Sequence, residues 1–182
     1  MQKSGENGYY IEQTLSDNRR EIGDEAVWSL SSAKQDSGVH QLRDDNPETF
    51  WQSDGPIPHV INIQFMKKTR ISEVALLLEF RTDESYTPQI VSVRGGMYLQ
   101  NLREVARVEL NNPNGYVVIP LKTRVDEREE QQFIYTMNLQ VAILQMFHQG
   151  KDTHVRQVKV FGVRDLPERA GGDFGSLNQF LR

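Results

Sequence analysis

The stretch from Gln41 to Phe65, Q-L-R-D-D-N-P-E-T-F-W-Q-S-D-G-P-I-P-H-V-I-N-I-Q-F, restricts the fold more than any other, because a turn-rich polar loop runs directly into an alternating strand. Asn46-Pro47 and Ser53-Asp54-Gly55-Pro56 are turn chemistry, in which proline fixes φ while Asp and Gly supply local hydrogen bonds and permissive angles. Trp51 lies between the two turns. An indole buries roughly 200 Å² or more, so at about 25 cal/mol per Å² it is able to anchor the loop on a core. From His59 to Phe65, Ile61, Ile63 and Phe65 fall on one face and Asn62 and Gln64 on the other, the period of a half-buried strand.

The remaining chain repeats this pattern. Ala26 to Leu30 is read as a first strand, followed by a polar loop to His40. Ile71 to Phe80 is dense enough in aliphatics for a central strand covered on both faces. A loop from Thr82 to Pro88 leads into Ile90-Val91-Ser92-Val93, which Gly95-Gly96 is expected to close as a turn. Leu99 to Leu110 is read as strand at its end. Asn112-Pro113-Asn114-Gly115 reads as a tight hairpin turn before a strand from Tyr116 to Leu121. The charged run Lys122 to Gln132 is read as a solvated connection, and further strands are expected in Phe133 to Phe147 and in Val155 to Val163. About eight short strands separated by turn signals predict an all-β fold, an antiparallel β-sandwich or jelly roll. The expected layout is an N-terminal arm over 1–20, one domain over 21–163, and a Gly/Arg/Asp/Pro-rich tail over 164–182.

Composition removes several functions. With 21 basic and 25 acidic residues the formal net charge is -4, so nucleic acid and anionic membrane are not the expected partners. There is no cysteine, hence no disulfide, thiolate nucleophile or Cys-ligated zinc in the chain. The four histidines, His40, His59, His148 and His154, form neither H-x-H nor H-E-x-x-H, and no G-x-S-x-G, P-loop or G-x-G-x-x-G occurs. No metal, cofactor or catalysis is expected. Asp44-Asp45-Asn46 lacks the spaced calcium pattern and is read as loop and cap hydrogen bonding. Without an apolar leader at the N-terminus, an intracellular, unsecreted protein is expected.

Two loops stand out for polar chemistry. Thr82 to Pro88 clusters donors and acceptors around Tyr86, and Gln149 to Gln157 does the same before the last strand. In sandwich folds loops at one end meet in space, so the pair suggests a surface that reads peptide or sugar.

At these residues the chain resembles the Doc-domain subunit family of the anaphase-promoting complex (cyclosome). The segments are Glu21-Ile22-Gly23 with Ala26 to Ser32, Gln41 to Gly55, Asp83-Glu84-Ser85-Tyr86-Thr87-Pro88, and Asp152-Thr153-His154 with Arg156-Gln157. The resemblance runs from about Arg20 to Gly162. It implies a galactose-binding-like jelly roll and a non-catalytic subunit, nuclear and cytoplasmic, that acts with a WD40 coactivator as co-receptor for the destruction box of substrates. By the same resemblance, degron contacts fall on Asp83, Glu84, Ser85, Tyr86, Asp152, Thr153, His154 and Gln157. The terminal Leu181-Arg182, where the family carries Ile-Arg, is implied to dock on a TPR scaffold subunit beside the complex's catalytic subunits. Asp45-Asn46 with Thr49 and Trp51 also resembles discoidin and galactose-binding-like domains, which leaves a carbohydrate-binding module as the alternative; Thr49 and Trp51 are read as structural in either case. An enzyme using Asp44 and Asp45 is disfavoured, since adjacent residues of an extended strand point opposite ways.

Overall fold

A computed structural model describes residues 19–124, 130–131 and 133–163. Residues 1–18 of the arm expected over 1–20, most of the charged connection, and the tail with Leu181 and Arg182 lie outside the described residues. The strands are β1 (Arg19–Glu21), β2 (Ala26–Leu30), β3 (Trp51–Gln52), β4 (His59–Glu79), β5 (Pro88–Gly96), β6 (Arg103–Glu109), β7 (Asn114–Pro120), β8 (Thr123–Arg124), β9 (Glu130–Gln131), β10 (Ile134–Met146), β11 (His154–Val155) and β12 (Gln157–Val163). Two short helices, α1 (Val39–Arg43) and α2 (Phe80–Asp83), interrupt them.

β4 organises the sandwich. Its first half pairs with β2 and β10, and its second half pairs with β12 and β7, all antiparallel. The first sheet continues through β10 to β5 and β6, and the second through β12 to β1. The sequence suggests two strands here, His59–Phe65 and Ile71–Phe80, but they are one. Met66-Lys67-Lys68-Thr69-Arg70 holds no Gly, Pro, Asn or Asp, so nothing stops the extended backbone as it passes from one sheet to the other. Along β4, Ile61, Ile63 and Phe65 and then Val74, Leu76 and Leu78 are buried, joined by Val91, Val93, Leu139, Val141, Ile143, Val158 and Val160 in one core. Ile71 to Leu76 are buried on both faces, as a central strand requires.

Two turn expectations are corrected. Gly95 and Gly96 do not turn; they are strand residues of β5 opposite Leu139 and Asn138. A Cβ on Gly96 would stand 2.7 Å from the Asn101 carbonyl oxygen, so the glycine serves a close backbone approach, and the turn follows it at Met97 to Leu102. Asn112 to Gly115 does not close a hairpin either. β6 pairs with β5 while β7 pairs with β4, so the chain crosses between sheets there, with Asn112 at φ 44° and Gly115 at φ 107°.

Some short elements go beyond those expected, among them α1, α2 and the ribbon of β8 and β9. α1 interrupts the polar stretch with one buried residue, Leu42, and the Gln41 side chain accepts from the Gly38 N–H at 2.9 Å. β8 and β9 pair as a short ribbon bracketing the charged connection.

Candidate functional site

Because β4 runs out along one sheet and back along the other, its end at Glu79 returns to the end where it began, and α2 follows at once. β10 closes on the same end, its Met146 opposite Pro88 at the start of β5. The segment before β5 and the segment after β10 are therefore neighbours. Phe147 N–H donates to the Thr87 carbonyl at 3.0 Å, and a Cβ on Gly150 would lie 1.8 Å from the Ser85 carbonyl oxygen. No other residue fits that contact. Glu84, His148 and Gln149 hold φ of 44°, 53° and 59°, so both segments keep side-chain-bearing residues in left-handed backbone, a conformation that commonly accompanies functional sites.

Asp83 is the polar centre. Arg156 donates through Nε to its Oδ2 at 3.0 Å and through Nη2 to its Oδ1 at 2.9 Å, and His154 Nδ1 stands 3.3 Å from Oδ1. Burial alone would raise the Asp83 pKa, but the hydrogen bonds from His154 and Arg156, with the guanidinium charge, hold it below the usual carboxylate range. Arg156 also donates through Nη1 to the Pro47 carbonyl at 2.7 Å, which ties in the Gln41–Gly55 loop.

Above this pair the His154 ring is clamped between Phe50 (centroids 4.1 Å apart) and Tyr86 (4.2 Å, interplanar 10°). Thr153 buckles the two loops, its hydroxyl donating to the Tyr86 carbonyl at 3.2 Å and its N–H to Ser53 Oγ at 2.9 Å. Asp152 lies alongside, 3.5 Å from the same Ser53 hydroxyl.

The structure thus brings Asp83, Ser85, Tyr86, Asp152, Thr153 and His154 together, with Glu84 in the turn between. They divide by exposure. Glu84 and Tyr86 are exposed and Ser85 and Asp152 partly so, whereas the His154 side chain is only 11% exposed and Asp83 and Thr153 are buried and hold the others in place. Gln157 is set apart. Its amide nitrogen lies within 3.1 Å of Gln41 O, Asp44 Oδ1 and Asn46 O, its oxygen accepts from the Asp45 N–H, and it is 2% exposed. It staples the Asp44–Thr49 loop and has no group left for a ligand. Thr49 donates to the Asp44 carboxylate, and Trp51, fully buried, donates to the Ser32 carbonyl at 2.9 Å. Both are scaffold. Asp44 itself caps the Asn46 N–H at 2.9 Å, and among the described residues no cluster of His, Asp and Glu is placed to hold a metal ion.

Sequence reasoning missed Arg156, Phe50, Ser53 and Gly150. Two-residue alternation would have put Arg156 beside His154 and turned Gln157 the other way.

The family model for anaphase-promoting complex, subunit 10 (APC10) matches residues 2–179. The chain belongs to that family. Anaphase-promoting complex subunit 10 of Homo sapiens is 46% identical over 142 residues, covering 78% of this chain and 74% of that protein. The Drosophila melanogaster protein of the same name is 40% identical over 162 residues, covering 87% and 80%. Among solved structures, the family 32 CBM of Clostridium perfringens NanJ in complex with galactose superposes at TM-score 0.61 with 14% identity, covering 79% of this chain and 98% of that one. The fifth CBM32 of C. perfringens GH89, in complex with GalNAc-β-1,3-galactose, gives 0.63 at 9% identity, covering 78% and 99%. At such identities the likeness establishes the galactose-binding-like jelly roll and nothing about sugar.

Proposed function

We propose that this chain is a non-catalytic subunit of the anaphase-promoting complex and holds part of a destruction-box degron at the loop end of the sandwich, sharing the degron with a WD40 coactivator. One observation carries the reading. In a member of the subunit 10 family, the Glu84–Tyr86 turn and the Asp152–His154 segment are locked side by side, with Tyr86 39% exposed over the His154 ring. Tyr86 offers apolar area, and Glu84, Ser85 and Asp152 offer outward polar groups. Asp83, Thr153 and Arg156 hold the surface rigid, which lowers the ordering cost of binding.

A short degron at micromolar strength has about 8 kcal/mol of binding free energy. When two proteins hold it together the second contact is effectively intramolecular, so a weak surface still prolongs residence. Attachment to a TPR scaffold subunit through Leu181 and Arg182, and action in nucleus and cytoplasm, belong to the same proposal.

The test is a reconstituted ligase carrying Tyr86→Ala with Asp152→Ala. Substrate dwell time should shorten roughly tenfold, the equivalent of about 1.4 kcal/mol, and fewer ubiquitins should be added per encounter while the subunit still co-purifies. Loss of co-purification, or unchanged processivity, would overturn the reading. A chain lacking Leu181 and Arg182 should show the opposite split, with loss of TPR-subunit capture. Glycan-array binding by the purified chain would favour the carbohydrate alternative.

A further inference from the structure

Along the first half of β4 the residues that face the core fall at every second position, as His59, Ile61, Ile63 and Phe65. The row is apolar except for its first member. His59 is 0% exposed and stands opposite Ile143 of β10, at the loop end of the sandwich. An aliphatic side chain would continue the row, whereas an imidazole taken out of water needs hydrogen bonds in exchange. Nε2 lies 2.7 Å from the Lys151 carbonyl oxygen, while Nδ1 is buried without a hydrogen-bond partner among the described residues. A carbonyl only accepts, so Nε2 carries the proton and donates it.

That bond lands in the middle of the segment that bears Asp152 and His154. On one side of Lys151, Gly150 is pressed against the Ser85 carbonyl oxygen. On the other, Asp152 lies 3.5 Å from Ser53 Oγ, and the Thr153 N–H donates to the same hydroxyl at 2.9 Å. Lys151 is itself exposed, so its backbone is what ties it to the core. Its carbonyl and the Asp152 N–H belong to one peptide plane, which is rigid. Holding the oxygen fixes the plane from which Asp152 departs. Thr153 and then His154 follow directly, the His154 ring stacked 4.2 Å from that of Tyr86.

We infer that His59 is a positioning residue for the degron surface: through the Lys151 carbonyl it sets the peptide plane that aims Asp152 outward. The inference rests on the degron reading given above. His59 is too deeply buried to touch a ligand and acts through the segment it holds. A donor needed at that one point explains an imidazole with half its hydrogen bonding unused, which packing alone does not.

The experiment compares three variants. His59→Leu fills the space without a donor. His59→Gln places an amide nitrogen about where Nε2 stands, and His59→Asn carries its amide only as far as Nδ1, short of Lys151. NMR of the full-length protein follows the Asp152 amide and the His154 ring signals, which ring currents from Phe50 and Tyr86 displace; it needs no ligand. Anisotropy measures a labelled destruction-box peptide on the ligase reconstituted with each variant and its coactivator. In His59→Leu both signals should move and affinity should fall roughly fivefold, an equivalent of about 1 kcal/mol. His59→Gln should restore both. His59→Asn should behave as His59→Leu, which keeps the comparison whole if the leucine variant does not fold. Rescue by Gln but not Asn separates a lost hydrogen bond from lost packing. The inference is overturned if the Asp152 signal stays in place in His59→Leu and His59→Asn, if it moves while affinity remains native, or if His59→Gln fails to restore them. A native ligase that does not bind the peptide overturns the degron reading itself, and the NMR signals then still report whether His59 holds the plane.

Discussion

Asp83 accepts two hydrogen bonds from Arg156, the pair at 6% and 7% exposure, so each needs the other more than a surface pair would. A buried pair adds little net stability over an apolar pair, but breaking it leaves one charge uncompensated at a cost of about 3–5 kcal/mol. Asp83→Asn should lower stability near neutral pH by that order, read by urea unfolding. The pH dependence has a definite sign. The folded carboxyl has the lower pKa, so as pH falls the unfolded chain takes up its proton first. The contribution is complete above the unfolded value of about 4 and is lost as pH falls through the folded value. The gap between the native chain and Asp83→Asn should thus be flat from neutral to mildly acidic pH and narrow below about pH 4. A gap that stayed constant to lower pH would mean the carboxylate is not what stabilises the loop.

Gly150 couples one element to another. Its φ is negative, so left-handed backbone is not why glycine stands there; the Ser85 carbonyl oxygen simply occupies the place of a Cβ. That oxygen is backbone and cannot swing away. Gly150→Ala should cost about 1–3 kcal/mol as overpacking, lower Tm by roughly 3–10 °C, and weaken degron-peptide binding because the two loops are forced apart. Normal peptide affinity in this variant would show that the loops need not touch to bind. Such contacts also mark where the sequence stops being legible. Alternation reveals β2, β4, β5, β10 and β12 because burial on one face imposes a period of two. It reveals the cluster of loops only as a rule of sandwich folds. α1 escapes because a five-residue helix burying Leu42 alone has no period to detect. The misplaced turns escape because Gly96 reports a close approach and Asn112 to Gly115 a crossover, and local chemistry cannot tell these from a hairpin. Gln157 stands among the degron contacts that the family resemblance implies, whereas the structure places its whole amide inside the Asp44–Thr49 loop.

For the whole molecule, the sandwich holds two surfaces apart. β10 spans thirteen residues from the bend of β4 to the Glu84–Tyr86 and Asp152–His154 loops, which at about 3.3 Å per residue is roughly 40 Å of strand. Charge reversal at Lys67 and Arg70 acts through solvent over several screening lengths of about 8 Å each, so little of its field should reach Tyr86. Tyr86→Ala should therefore weaken a destruction-box peptide, and Lys67→Glu with Arg70→Glu should leave the affinity for that peptide unchanged. Combined in one chain, their effects on that affinity should add within about 0.3–0.5 kcal/mol, as for distant sites without shared partners. Anisotropy titrations of the labelled peptide against the four proteins measure this directly. A coupling above about 1 kcal/mol would exceed that limit for independent sites and would mean that β4, which runs from the loop end to the bend and back, transmits a change of shape between the two ends.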